Sequence, residues 1–537
     1  MEHSEIFPGT TRQIDVYVPV QYDGKTPACV CIFQDNMGFK ADTVVSNLID
    51  NKEIPVMILV AASPGSVGGD FDPDNPRANR TYEYDTPSPQ FGRFVLEELL
   101  PLVETLKAQD GRTIKLSRDR NDRMITGCSS GAACAFNVAW YTDEFARVYS
   151  ACGSFTGLRG SYGNATLVNK FEPKPIRLFL QSGSHDMWTC FGDWWTANQA
   201  MVRALQFSGY DFDYEFTENA GHCDIHAARV FPKAMRFLWN GYPDNQPSPV
   251  TKTRNHVLNE ILEKDEAFQP VTSVTYKEAS LVTGTNGRVY LTYNDKSVLL
   301  HENNEPMKVI SDDKILAVGK DDRVLAYHTK KGLMVRNSGS QTLKKITTEI
   351  IPSHAVALKS GGFYITGAKN KNENPQYLWL LTSDHKLIEL DSGLKGACAL
   401  ALSANENWLY VFEYDTRRGF NYKVKKEDEH VALKQEFFFI HLPDECDGAE
   451  TSSAICDNSG KTYLATAMGI QVCDFNGRSA AILSLPENIR PRSIAWGGEK
   501  RNILYVLCEN GSIYKRILKT QGPSIEGPMP VIRVGAG

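Results

Sequence analysis

The stretch GYPDNQPSPV, Gly241 to Val250, separates two kinds of periodicity that no single layered core accommodates. Before it, β-rich runs such as IDVYVPV, ACVCIFQ and PVMILVAA alternate with helical spacing of apolar residues, as in FGRFVLEELLPLVETL and HAARVFPKAMRFLW. Such alternation predicts a mostly parallel sheet covered by helices, because parallel neighbours need a crossover connection and a helix is the compact one. After it the helical signal nearly vanishes. Short strands recur instead, with units beginning at Gly287, Arg323, Gly361, Asn407, Lys461 and Asn502, about 36 to 54 residues apart. Four-stranded propeller blades repeat every 40 to 50 residues or so, and six units predict a six-bladed β-propeller, with paired β-sandwiches as the structural alternative. The chain therefore reads as α/β plus all-β: an α/β domain over 1–243, a linker over 244–270 and a propeller over 271–537.

Composition narrows the function classes. A net charge of −6 and a pI near 6.1 offer no basic surface for nucleic acid or anionic membrane. No apolar run approaches the roughly 18 residues of a membrane span. The opening MEHSEIFPGTTRQIDVYVPV enters a strand pattern without the basic and apolar regions of a secretory leader. The expected compartment is cytoplasmic as written, or secreted or periplasmic if a leader was removed. Twelve cysteines include no CxxC pair, so structural zinc is not expected. Cys29, Cys31, Cys134 and Cys508 sit in apolar patterns, where cysteine acts as a small hydrophobe. Cys190 and Cys223 lie in segments expected to converge, as a candidate disulfide or as two thiols.

MITGCSSGAACAF, Met124 to Phe136, contains Gly127, Ser129 and Gly131 in the spacing GxSxG, between a short strand and a helix. Small flanking residues let the backbone turn sharply there and raise the serine oxygen above the sheet edge, as in the nucleophile elbow of an α/β-hydrolase fold. The Ser130 amide would then face an oxyanion. A nucleophilic serine also needs a base and a group that orients it, in the order acid then histidine on loops beyond later strands. Asp186 in IRLFLQSGSHDMW and His222 in FDYEFTENAGHCDIH occupy those positions. His226 is a candidate donor behind His222; a metal pair with that spacing lacks an evident third ligand. Asp193 is expected to start a helix, and Trp194 and Trp195 either line an acyl pocket or pack in the core. The loop CIFQDNMGF offers the amides of Asp35 or Asn36 as the second oxyanion donor.

The first 240 or so residues resemble the esterase branch of the α/β-hydrolases that includes enterochelin, feruloyl and acetyl-xylan esterases and the esterase D type. The resemblance rests on IFPGTTRQIDVYVPVQYDG, CIFQDN, NRTYEYDTPSPQFGRFVLEELLP, ITGCSSGAACAFNVAW, GSFTGLRG, RLFLQSGSHDMW and GHCDIHAARVFPKAMRFLW. It implies Ser129 as nucleophile, Asp186 as acid and His222 as base. Relatives usually carry glycine where Asn36 stands, which bears on the oxyanion loop. NRTYEYD matches a segment near the active site in relatives, so Arg80 and Glu83 are candidate substrate-pocket residues, or else an ion pair or loop anchor. The C-terminal half resembles the gluconolactonase and senescence-marker propellers through ALALSANENWLYVFEYDTRR, SAICDNSGKTYLATAMGIQVCDFNGR and RSIAWGGEKRNILYVLCENGSIYK. That family holds a divalent cation with glutamate, asparagine and aspartate. Here the last two positions fall near Cys398 and Ser452, and no glutamate with the expected flanks precedes GRVYLTY; Asp447 or Glu450 could replace one ligand through an insertion. Cysteine and serine are poor substitutes for hard oxygen ligands.

The expectation is a serine carboxylic-ester hydrolase that needs no cofactor and no metal. Its substrate is a small-molecule or glycan ester, of carbohydrate or aromatic-acid type by resemblance. The alternatives are a metal-dependent lactonase of the propeller and a noncatalytic carbohydrate-binding protein. The oligomeric state is left open.

Overall fold

The computed structural model describes residues 1, 3–68, 77–222, 224–248, 253–300, 309–370 and 376–530. It divides into two compact units, Met1–Asn255 and His256–Gly537. The division falls inside the stretch read as a linker.

The N-terminal unit is built on a seven-stranded sheet. In chain order its strands and principal helices are β1 (Ile14–Tyr17), β2 (Cys29–Gln34), α1 (Ala41–Asp50), β3 (Met57–Ala62), β4 (Arg123–Cys128), α2 (Ser130–Thr142), β5 (Arg147–Ala151), β6 (Arg177–His185), α3 (Trp194–Ser208), β7 (Asp211–Gly221) and α4 (Asp224–Leu238), with shorter helical segments at Arg80–Tyr84, Gln90–Arg93, Phe94–Leu99, Leu100–Thr105 and Asn164–Lys170. The spatial order is β7-β6-β5-β4-β2-β3-β1, parallel throughout except for β1 against β3. CVCIFQ and MILVAA are buried along their whole length. Continuous apolar strands of this kind demand cover on both faces, which the helices provide. On one face Val45, Leu48 and Ile49 of α1 and Phe231, Met235 and Leu238 of α4 close over Cys31, Phe33 and Leu59.

The path of the chain locates the cleft. From β2 it moves outward to β3, then returns to β4 on the other side of β2. The loops leaving the carboxyl ends of β2 and β4 therefore diverge to opposite faces, and the crevice between them is where open parallel sheets hold ligands. The Asp35–Asn36 loop and Ser129 leave those two ends.

The C-terminal unit is all-β apart from short helical turns, with six four-stranded antiparallel sheets among the described residues. Their first strands are Ser280–Thr283, Lys314–Val318, Ile351–Ala357, Ala399–Leu402, Ser453–Cys456 and Pro491–Gly497. Each lies beside the next, and Pro491–Gly497 lies beside Ser280–Thr283, so the series returns on itself. The last sheet takes its fourth strand, Gln269–Pro270, from the start of the unit, paired with Ile513–Ile517. At the seam between the last and first sheets, Gly498 donates its amide to the Gly287 carbonyl at 2.9 Å. A Cβ on Gly287, whose φ is +70°, would lie 1.8 Å from the Gly498 oxygen. His256–Ile261, read as linker, is a short helix whose Val257, Leu258 and Ile261 are buried against Ile470, Leu483, Trp496 and Leu504. No described helix is long and apolar enough to cross a membrane.

Candidate functional site

Ser129 stands between β4 and α2 with φ 61° and ψ −123°, a conformation L-residues rarely adopt. Its neighbours hold it there. The Ser129 amide donates to Ala151 O at 2.9 Å, and its carbonyl accepts from the amides of Ala132, Ala133 and Ser154 at 3.0, 3.2 and 3.1 Å. Strain of this kind persists only where the surroundings over-determine it. The GxSxG glycines have a steric cause. A Cβ on Gly127 would lie 2.5 Å from the Gly131 carbonyl carbon and 2.6 Å from its oxygen. On Gly131 it would lie 3.0 Å from Gln34 Cβ. The turn is therefore as tight as the two backbones allow. Among the described residues no backbone carbonyl accepts from the Ser130 amide. That amide sits at the first turn of a 13-residue helix, whose end carries partial positive charge.

Asp186 follows β6 and His222 follows β7, adjacent parallel strands. His222 Nδ1 lies 2.5 Å from Asp186 Oδ1, and the Asp186 side chain has no exposed surface. Asp186 Oδ1 also accepts from the Met187 amide at 2.7 Å, and Oδ2 accepts from Ser182 Oγ at 3.0 Å. Burial pushes this carboxyl up, but the bonds from His222, the Met187 amide and Ser182 outweigh burial and hold it below its ordinary range. An ionised Asp186 selects the imidazole tautomer with the proton on Nδ1, leaving Nε2 as the accepting nitrogen.

Ser154 and Trp194 connect the two halves of the site. Ser154 Oγ is 3.2 Å from Ser129 Oγ and accepts from Trp194 Nε1 at 2.9 Å. The Trp194 ring stands edge-on to the His222 ring, with centroids 6.1 Å apart. Ser129, His222 and Asp186 are thus brought to one locality by residues between them. The structure places Ser154 where sequence reasoning named no function; its only signal was its position in GSFTGLRG, just beyond β5. Cys152 is a second unforeseen neighbour, its sulfur within 4.8 Å of ligand atoms of both Asp186 and His222. Among the described residues no such grouping includes His226, which lies along α4. Asp193 caps α3, accepting from the Thr196 amide at 3.3 Å.

The remaining candidates separate. Asp35, with φ +67°, is gripped by Arg80 through bonds of 2.8 and 2.9 Å. Its amide donates to Tyr84 Oη at 3.0 Å, and the Asn36 amide donates to Gln34 O at 3.0 Å. Both loop amides already have acceptors, whereas the Ser130 amide has no backbone acceptor among the described residues. Glu83 is buried and committed: with Arg12 it forms an ion pair of 2.9 Å in which neither side chain is exposed, and it also accepts from the Gly65 amide. It anchors a loop. Trp194 is buried, and half-buried Trp195 packs on Phe216 with ring centroids 5.2 Å apart. Cys223 lies outside the described residues, and with it the candidate Cys190–Cys223 bond.

The C-terminal unit holds a cavity of about 690 Å³, lined in part by Lys314, His354, Tyr414, Glu450, Ser452 and Arg492. The divalent cation implied by resemblance does not fit these residues. Cys398 is buried, its thiol 3.4 Å from the Gly396 carbonyl. Ser452 stands at the aspartate position, and its carbonyl receives His354 Nε2 at 2.8 Å. Glu450 is taken by Arg490 at 2.9 Å, and Asp447 is exposed. Burial, with the Lys314 charge, pushes His354 down to about 4, so its ring is neutral at pH 7. Among the described residues, the sole group of three acidic, histidine or cysteine side chains close enough to share a metal is Cys152, Asp186 and His222, in the other unit.

Comparison with known proteins agrees with this division. Residues 4–212 match the family model described as "Putative esterase", and residues 279–510 match the SMP-30/Gluconolactonase/LRE-like region. No curated protein matches the chain. Among solved structures, a gluconolactonase from Xanthomonas campestris is 12% identical over 49% of this chain and 92% of its own, with a TM-score of 0.41. A ferulic acid esterase is 17% identical over 42% and 92%, with a TM-score of 0.33. The enterobactin esterase of Shigella flexneri is 16% identical over 42% and 55%, with a TM-score of 0.32. The chain joins an N-terminal esterase-family domain, of the carboxylic ester hydrolase class, to a C-terminal SMP-30/gluconolactonase-like region.

Proposed function

We propose that the N-terminal unit hydrolyses carboxylic esters through Ser129, His222 and Asp186. The observation that carries this reading is a strained Ser129 joined through Ser154 and Trp194 to the neighbourhood of a 2.5 Å His222–Asp186 pair. Asp186 holds the His222 proton on Nδ1. Nε2 takes the proton of Ser129 Oγ as that oxygen bonds to the ester carbonyl carbon. The negative charge passes to the carbonyl oxygen, which faces the Ser130 amide at the start of α2. As the intermediate collapses, His222 returns the proton to the departing alcohol and an acyl-Ser129 remains. Water, deprotonated by His222, attacks the acyl carbon, and the proton then returns to Ser129 Oγ as the acid leaves. No step draws on a cofactor. The substrate reading, an ester of carbohydrate or of an aromatic acid, is supported by the esterase-family match alone.

The six sheets, their returning series of first strands and the shared last sheet support a six-bladed propeller for the C-terminal unit. Lactone hydrolysis that depends on a bound divalent cation is disfavoured, because Cys398 and Ser452 stand at two of the ligand positions implied by the resemblance and Glu450 is paired with Arg490.

The test is hydrolysis of short-chain and cinnamoyl-type aryl esters by the wild type and Ser129→Ala, with and without chelator. Turnover lost in Ser129→Ala and indifferent to chelator is the expected result. Turnover that survives Ser129→Ala and falls with chelator would move the chemistry to the C-terminal unit.

A further inference from the structure

Ser154 is wholly buried, yet its hydroxyl touches the candidate nucleophile. The valence of its two contacts constrains what it does. The Trp194 indole nitrogen is a donor and never an acceptor, so in the 2.9 Å contact Ser154 Oγ must accept. At the moment of attack the Ser129 proton points to His222. The 3.2 Å contact between the two serine oxygens then has one remaining polarity, with Ser154 donating to Ser129 Oγ.

We propose that Ser154 is a positioning residue for Ser129, itself polarised and oriented by Trp194. The inference rests on the esterase reading above. A donor held 3.2 Å from Ser129 Oγ restricts the serine to rotamers that keep this contact. It also stabilises this oxygen whenever it carries negative charge. That occurs twice: as the proton leaves for His222 during attack, and as Oγ departs from the acyl group in the second half-reaction. A hydrogen bond to a charged oxygen is worth more than one to a neutral hydroxyl, so the effect falls on the chemical steps rather than on substrate binding. The backbone supports the geometry, because the Ser154 amide donates to the Ser129 carbonyl at 3.1 Å and ties the two residues together independently of their side chains. On the far side, the Asn198 amide group donates to the Gly153 carbonyl at 2.9 Å and anchors this loop to α3, the helix that carries Trp194.

The experiment measures kcat and KM on a short-chain aryl ester for full-length wild type, Ser129→Ala, Ser154→Ala, Trp194→Phe and the Ser154→Ala/Trp194→Phe double variant. Thermal unfolding serves as the folding control. Ser154→Ala is expected to lower kcat by about 10- to 100-fold with KM changed by less than about threefold. Trp194→Phe keeps the ring and removes the donor, so it should lower kcat by less. The double variant should be no slower than Ser154→Ala alone, because Trp194 acts on the nucleophile through the missing hydroxyl. A packing role for Ser154 would give losses that multiply in the double variant. Wild-type turnover lost in Ser129→Ala but kept within twofold in Ser154→Ala would overturn this inference and leave the esterase reading standing. Should Ser154→Ala fail to fold, Trp194→Phe with unchanged kcat would overturn it equally. Wild-type protein without Ser129-dependent turnover would overturn both.

Discussion

Alanine at Gly127 should damage the N-terminal unit far more than alanine at Gly131, although both glycines belong to the same pentapeptide. The Gly127 methyl group would sit 2.5 and 2.6 Å from the Gly131 carbonyl carbon and oxygen and 2.8 Å from the Gln34 side-chain amide. Unstrained contacts lie near 3.5 Å or beyond, so the overlap is about 1 Å and the obstacle is backbone. Relief requires the start of α2 to move away from the end of β4. Overpacking of this kind costs about 3 kcal/mol at the upper end of its usual range. The Gly131 methyl group meets the Gln34 side chain at 3.0 and 3.9 Å and Asp35 Oδ2 at 3.4 Å. Side chains give more easily, and about 1 kcal/mol suffices. For a unit spanning Met1–Asn255, each kcal/mol shifts the unfolding temperature by about 2–4 °C. Calorimetry of the full chain should therefore show the N-terminal transition roughly 6–12 °C lower in Gly127→Ala and about 2–4 °C lower in Gly131→Ala. Displacing Ser129 by about 1 Å should also cost about 100-fold in turnover. A Gly127→Ala protein that melts within 2 °C or so of wild type and retains full turnover would refute the close approach and reduce GxSxG to coincidence.

Asp186→Asn should lower turnover by about 10⁴-fold at pH 7, because the amide no longer enforces the His222 tautomer. A carboxyl held below its ordinary range in the fold contributes stability above the unfolded value near 4, and loses it as pH falls through the lower folded value. The stability gap between wild type and Asp186→Asn, read by urea titration across pH, should be full at pH 7 and shrink below about pH 4; a gap that widens in acid would contradict the sign. Glu83→Gln should cost about 3–5 kcal/mol of stability, since it leaves the buried Arg12 guanidinium without its counter-charge, while KM for an aryl ester stays unchanged. A raised KM with intact stability would return Glu83 to a substrate role.

Much of the fold was legible because its signals are local. Continuous apolar strands alternating with amphipathic helices announce a covered parallel sheet, and strands repeating at a blade-like period announce stacked four-stranded sheets. Both follow from which side chains must leave water. The elbow was legible for the same reason, since a tight backbone approach shows in the chain as two glycines around Ser129. His256–Ile261 was not, because six residues are too few for a periodic signal, and their apolar face has meaning only against the C-terminal sheets.

The sequence by itself determined the residue types available to the site and the strand ends from which they project: Ser129 after β4, Asp186 after β6, His222 after β7. Which of the other polar residues join them was decided by tertiary structure alone. Glu83 and Arg80 are three residues apart, yet one is sealed against Arg12 and the other grips Asp35. Trp194 and Trp195 are adjacent, yet one hydrogen-bonds Ser154 and the other packs on Phe216. Ser154, with no motif of its own, lies against Ser129 because β4 and β5 are parallel neighbours whose ends open onto the same edge. Propensity and spacing act along the chain, whereas hydrogen-bond partners are assigned by the strand order that brings distant segments together, and no local pattern encodes that order.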